Sequence, residues 1–285
     1  MTPADDAAAN ADQITYWNAV AGETWAAMQD KLDRQIEPLG ARAMEALEPA
    51  AGERVLDIGC GCGQTTMALA ARVGAGGAVL GVDISRPMLA VARRRIDAQG
   101  LAQVALAEAD AQTHAFAPGA FDAAFSRFGV MFFADPTAAF ANIRKGLRAG
   151  GRLGFVCWRA FADNPWMMVP LAAVLPLLPA PPPPPDPFAP GPFAFADADR
   201  LRGILQGAGF TGVRIEPFDA MIGAPDLDEA VEVALKVGPL GALLREAPQK
   251  AGLVVDAIRQ ALAPHLTGEG VRLASATWIV TAAAP

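Results

Sequence analysis

The residues of this 285-residue chain that could carry chemistry begin at Asp57-Ile58-Gly59-Cys60-Gly61-Cys62-Gly63. The apolar run Val55-Leu56 leads in, and a helix-forming stretch opens at Thr65. Glycine takes positive φ at no steric cost and lets another molecule touch the backbone. The first turn of the helix that follows offers free N–H groups. The spacing therefore describes a bend with a ligand against it.

A second acid defines that ligand further. Asp83 closes the next apolar run, 20 residues beyond Gly63. An acidic residue there accepts hydrogen bonds from both hydroxyls of a ribose. Aligned on Gly59 and Gly61, the dinucleotide fingerprint needs its third glycine where Gln64 stands. No Gly-Lys-Ser/Thr follows, so the phosphate loop of nucleotide hydrolases is excluded. Asp57 would repel a pyrophosphate and suits a ligand with an ammonium group. An NAD(P)-dependent oxidoreductase stays as the alternative, with Asp57 and Gln64 against it.

Candidates for proton transfer are few. His114 and His265 are the only histidines. His114 could face the mouth of a site or lie on the surface; His265 ends a helix, where the dipole favours a cation. Arg127 could orient an acidic acceptor or pair with Asp135. Phe128, Met131, Phe132 and Phe133 divide between core and pocket. Trp158, Trp166, Met167 and Met168 suggest an apolar or aromatic acceptor. Cys60 and Cys62 have no partners to complete a metal site.

The elements that position these residues alternate. Strands are expected over 53–58, 78–82, 104–109, 121–126 and 152–158, with helices between them. Such a rhythm means a parallel sheet covered on both faces. Ser85 with Pro87, and Asp135 with Pro136, read as helix starts. Before the sheet, Trp17, Ala21, Trp25, Met28, Leu32, Ile36, Leu39, Ala43 and Leu47 keep helical spacing, with Gly22 as the expected break. Tyr16, Trp17 and Trp25 pack as core or close over a ligand. A sixth strand is expected over 213–218 and a last over 272–281, separated by three helices. Pro181 to Pro185 read as a stiff extended spacer.

Net charge is −7, which argues against a nucleic-acid partner. Three scattered cysteines, acidic residues at the N-terminus and no long unbroken apolar run lead us to expect a cytoplasmic protein without a membrane span. The expected organisation is a helical lid at 1–48, a cofactor-binding α/β core at 49–159, a Pro-rich cap insertion at 160–197, the rest of the core at 198–220 and 271–285, and a helical cap insertion at 221–270.

Taken in order, these motifs resemble the class I S-adenosylmethionine-dependent methyltransferases, and within them the ubiquinone/menaquinone-biosynthesis-like small-molecule group. Asp57-x-Gly59-x-Gly61-x-Gly63 matches the first motif and Gly81-Val82-Asp83-Ile84-Ser85 the second. Ala109-Asp110-Ala111, the segment Phe121 to Ser126 and the segment Leu147 to Leu153 match three more. The resemblance implies a Rossmann-like α/β fold with a seven-stranded, mostly parallel sheet and an antiparallel last strand. It implies that backbone around Gly59, Cys60, Gly61 and Gly63 holds the methionyl end of S-adenosylmethionine, and that Asp83 binds the ribose. Ile84 would pack on the adenine, Asp110 and Ala111 would read its edge, and Ser126 would lie beneath the sulfonium. Tyr16, Trp17 and Trp25 would form a lid. The acceptor would be a small apolar or aromatic molecule lined by Trp17, Phe128, Met131, Trp158, Trp166 and Met168, taking the methyl by in-line displacement. A protein that holds the cofactor without turning it over is a further alternative.

Overall fold

The structure, a computed structural model, describes residues 10–177, 186–246 and 251–285. The proline run at 181–185 lies outside them. Strands β1 (Arg54–Ile58), β2 (Ala78–Asp83), β3 (Val104–Glu108), β4 (Phe121–Arg127), β5 (Leu147–Trp158), β6 (Thr211–Ala224), the two-residue β7 (Leu266–Thr267) and β8 (Gly270–Ala283) form one sheet. Its order is β3-β2-β1-β4-β5-β8-β6, with β7 beside β8. The pairs among β1 to β5 are parallel, and β8 runs antiparallel to both β5 and β6. The seven-stranded expectation holds, with β7 as a short addition.

The parallel strands read as apolar runs because helices cover both faces. Leu56, Phe125 and Phe155 are fully buried on neighbouring strands. Helices α4 (Gln64–Val73), α5 (Arg86–Ala98), α6 (Pro136–Gly146) and α8 (Ala198–Gly207) alternate with the strands. Asp135 caps α6, its carboxylate accepting from Ala138 N at 2.9 Å. Ser85, read as a cap, makes no capping bond. Its hydroxyl donates instead to Trp17 O at 2.7 Å, tying the leading helices to the end of β2.

Those leading helices are α1 (Ala11–Trp17), α2 (Val20–Ala27) and α3 (Gln29–Leu47). The breaks fall at Asn18 and Met28 and not at Gly22, which is buried inside α2. A Cβ on Gly22 would lie 2.0 Å from Trp17 O and 2.7 Å from Ser85 Oγ, so glycine there serves close packing. Asn18 completes the dock, donating to Ile84 O at 2.7 Å and accepting from Arg86 N at 2.9 Å.

Strands β6 and β8 pair from Thr211↔Ala283 to Ala224↔Val271, far longer than the strands expected at 213–218 and 272–281. At the far end of this ribbon stand α7 (Pro165–Val174), α9 (Leu227–Lys236), α10 (Gly238–Glu246) and α11 (Ala251–Leu262). They share a second apolar core in which Val174, Val231, Leu240, Val254 and Ile258 are buried. Lys31 pairs with Glu232, and Arg34 with Glu229 at 2.8 Å, so α3 is bound to α9 as well as to the sheet.

Candidate functional site

All three loop glycines have positive φ: 66° at Gly59, 53° at Gly61 and 84° at Gly63. Their missing side chains make room for the protein itself. A Cβ on Gly59 would lie 2.7 Å from Gly129 Cα, one on Gly61 2.8 Å from Met88 Cε, and one on Gly63 3.0 Å from Ala92 Cβ. The turn after β4 and helix α5 thus pack directly on the loop. On another side, Gly59, Cys60, Gly61 and Cys62 border a cavity whose remaining wall comes from α2, α3, Thr65, Met88, Arg127 and Phe128.

Asp57 lies under this loop with no exposed surface. Its Oδ2 accepts from Thr65 Oγ1 at 2.8 Å and Thr66 Oγ1 at 2.6 Å, and its Oδ1 has no partner. Burial pushes its carboxyl up to about 6, against the pull of the two hydroxyls and Arg127. Asp57 does not itself line the cavity; its donor Thr65 does. Its charge acts across the loop and through that threonine.

Asp83 ends β2 with Oδ2 accepting from Gly61 N at 2.7 Å and Oδ1 from Ser85 N at 2.8 Å. It therefore holds the glycine loop in place, and each oxygen keeps a lone pair for a further donor. Burial raises its carboxyl, and these N–H groups oppose the rise. Ile84, half-buried, follows it. Asp110 accepts from Gln112 N at 2.9 Å, and the buried Ala111 accepts from Asn142 Nδ2 at 3.0 Å. Ser126 is fully buried, donating to Ile58 O at 2.8 Å and accepting from Gly129 N at 3.2 Å. Its hydroxyl locks β4 to the end of β1.

The sequence gives little hint of the cavity's opposite wall. Helix α3 supplies Gln29, Leu32, Asp33 and Ile36, and α2 supplies Trp25. Asp33 bridges Arg95 at 2.9 Å and Arg127 at 3.1 Å, while Arg127 also donates to Gln64 Oε1 and Arg95 to Cys62 O at 2.9 Å. Arg127 thus pairs with Asp33 and not with Asp135. Gly40 gives its stem passage, since a Cβ there would lie 2.8 Å from Arg127 Cδ. The polar residue that does interrupt the apolar stripe of the helix, Gln35 between Leu32 and Leu39, lines a different cavity and carries no signal for Asp33.

Of the residues expected to carry chemistry, Trp25, Gly59, Cys60, Gly61, Arg127 and Phe128 border the cavity. Phe128 stacks on Trp158 at 4.1 Å, and Trp158 meets Trp166 at 5.2 Å, in a run leading away from the loop. Trp17 touches Tyr16, Trp25 and Phe132 edge-on. Met131 is core, its carbonyl accepting from Gly191 N at 3.0 Å. Neither histidine borders the cavity: His114 packs edge-on against Phe116 at 4.8 Å, and His265 ends the turn after α11. Cys60 and Cys62 are buried free thiols, and burial pushes Cys62 up to about 12.

The cavity presents the cation Arg127 beside Asp33, with the Asp57 charge beneath its floor. That set fits an amino-acid end carrying both an ammonium and a carboxylate, and Asp83 and Asp110 follow along the same strand edge. Among the described residues no helix is long and apolar enough to cross a membrane.

Residues 55–151 match the methyltransferase domain family. The chain is 39% identical over 183 residues to aklanonic acid methyltransferase of Streptomyces sp. (strain C5), covering 62% of this chain and 83% of that protein. It is 41% identical over 112 residues to the demethylmenaquinone methyltransferase of Thermus thermophilus, covering 39% and 50%. Its fold superposes with a TM-score of 0.54 on phosphoethanolamine N-methyltransferase 2 of Haemonchus contortus, solved with S-adenosyl-L-methionine, at 20% identity, covering 87% of this chain and 52% of that one. The oxidoreductase alternative falls with these matches. The chain belongs to the class I S-adenosylmethionine-dependent methyltransferases that act on small molecules, and S-adenosylmethionine is its cofactor.

Proposed function

We propose that the enzyme methylates a small, apolar, ring-containing acceptor by in-line displacement. The observation that carries this reading is the aromatic run Phe128, Trp158 and Trp166, which starts at the cavity over the glycine loop and leads under the cap. Flat apolar faces at this spacing suit a ring system. The backbone at Phe128 strengthens it: φ is 64°, a left-handed conformation that costs a bulky residue about 1–2 kcal/mol. Such strain persists where the surroundings impose it, commonly at sites of function. Here it turns the ring onto Trp158.

In this reading the backbone of Gly59, Cys60, Gly61 and Gly63 holds the methionyl end, Asp83 the ribose, and Ile84, Asp110 and Ala111 the adenine. Tyr16, Trp17 and Trp25 close the lid, with residues 1–48 as the lid segment and 160–197 and 221–270 as caps on the core. The cofactor supplies an electrophilic methyl group when bound. What the chain supplies is positioning and the exclusion of water, together able to lower a barrier by roughly 7–11 kcal/mol. The cavity wall offers little for proton removal: Asp33 is engaged in ion pairs with two arginines, and burial raises both thiols. An acceptor that ionises without help, or needs no deprotonation, fits best.

The test is release of S-adenosylhomocysteine across a panel of apolar phenols and aromatic acids set against amino-acid and nucleoside acceptors. Turnover confined to the polar set would sink the reading.

A further inference from the structure

A second cavity lies between α3, α7, the β6–β8 ribbon and the helices α9 and α10. Its wall is apolar: Met167, Pro170, Ile222, Val233, Leu240 and Leu273 contribute. Two polar residues interrupt it. Gln35 of α3 is 8% exposed, and its Oε1 has no hydrogen-bond partner. Trp166 of α7 carries an Nε1–H shut off from solvent, also without a partner. Of the two methionines expected near an acceptor, Met167 lines this cavity.

A buried donor or acceptor left unpaired loses its full hydration and is rare in folded proteins. Here one such acceptor and one such donor belong to residues that line the same apolar space. Two elements run from the cofactor cavity to this one. Trp166 ends the aromatic run that Phe128 begins, and Gln35 lies on α3 between Asp33 and Ile36, which line the cofactor side.

We propose that this second cavity receives the far end of the acceptor, and that the acceptor carries a hydroxyl for Gln35 Oε1 and a carbonyl for Trp166 Nε1–H. The assignment rests on the apolar-acceptor reading above and adds its recognition chemistry. Selectivity follows directly: a site built to hydrogen-bond a substrate group rejects the analogue lacking it, because the buried protein group is then left unpaired. Met, Ile, Val and Leu around the pair admit the rest of the skeleton without preference.

Three probes separate the two bonds: hydroxybenzophenone, benzophenone without the hydroxyl, and benzylphenol without the carbonyl. Their binding to the full chain saturated with S-adenosylhomocysteine is measured by calorimetry. Hydroxybenzophenone is expected to bind about tenfold tighter than either parent, one hydrogen bond separating each pair. Trp166→Phe keeps the ring and should erase the advantage over benzylphenol alone. Gln35→Met keeps the length and should erase the advantage over benzophenone alone. Unchanged S-adenosylhomocysteine affinity and melting temperature report that both variants fold. Equal binding of the three probes, no binding, or a uniform loss in both variants would overturn the proposal; a water bridging the two atoms predicts the first of these. If the pattern appears while the phenol panel goes unmethylated, the acceptor reading fails and the cavity assignment stands.

Discussion

Asp33 of the leading helix and Arg127 at the end of β4 meet 3.1 Å apart across the cavity over the glycine loop. Both are largely buried, and Arg95 joins the same carboxylate from α5. Removing one partner of a buried pair leaves the other charge uncompensated. Asp33→Ala should therefore cost about 3 kcal/mol in urea unfolding and weaken S-adenosylhomocysteine binding. Arg95→Ala, whose side chain is more exposed, should cost less. Equal and negligible losses would show that the bridge contributes nothing to closure.

Asp83 has two duties, since the oxygens proposed for the ribose also accept from Gly61 and Ser85 N. Asp83→Ala should weaken S-adenosylhomocysteine at least 30-fold by calorimetry, about 2 kcal/mol for lost charge-assisted bonds. Asp83→Asn keeps an acceptor and should fall between. Unchanged affinity in the alanine variant would refute the placement.

The buried Asp57, pushed up to about 6, should make binding pH-dependent. With its folded pKa above the ordinary 3.8, the native state holds more protons than the unfolded one between these values. Its contribution to stability is thus favourable in acid and is lost as pH rises through 6, worth about 3 kcal/mol in all. Binding of a cation draws on the ionised form, so S-adenosylmethionine should bind about tenfold more weakly at pH 5 than at pH 7. Asp57→Asn should flatten that slope. Identical slopes in variant and wild type would assign the titration elsewhere.

Much of this was legible in advance, for physical reasons. The strand and helix alternation from β1 to β5 shows in the sequence because local spacing and buried apolar runs impose it. Asp57, the glycines and Asp83 show because turns and ligands restrict residue type there. The contribution of α3 does not: Asp33 meets Arg95 and Arg127 only when α3 crosses the strand edge, and one helix does not encode its crossing. The β6–β8 ribbon was read too short because Asp219, Ala220 and Gly223 look like loop, while pairing with Ala276, Ser275 and Arg272 keeps them extended. Gly22 was read as a breaker because its close neighbours, Trp17 O and Ser85, come from packing.

Phe128 separates backbone strain from ring function. Phe128→Gly relieves the left-handed backbone, whereas Phe128→Ala keeps the strain and loses the ring. The glycine variant should unfold at least 1 kcal/mol later than the alanine variant in denaturant titration. Both should raise KM for the acceptor, having lost the surface stacked on Trp158. A glycine variant with unaltered KM would remove Phe128 from the acceptor wall.

Gly129 tests whether the glycine loop depends on close backbone contact or on glycine content alone. A Cβ there would lie 2.8 Å from both Gly59 Cα and Ile58 O, and 3.1 Å from Ser126 Oγ. None of these can yield without moving the loop. Gly129→Ala should cost about 1–3 kcal/mol, as overpacking does, and weaken S-adenosylhomocysteine with it. Gly203 is the control: it lies within α8, and a Cβ there would meet nothing within 4 Å. Gly203→Ala should instead stabilise by about 0.5–1 kcal/mol and leave cofactor binding unchanged. Both variants add the same methyl, so opposite signs in thermal unfolding would trace the effect to the contact between the two turns. Matching signs would leave that contact without a role in holding the loop.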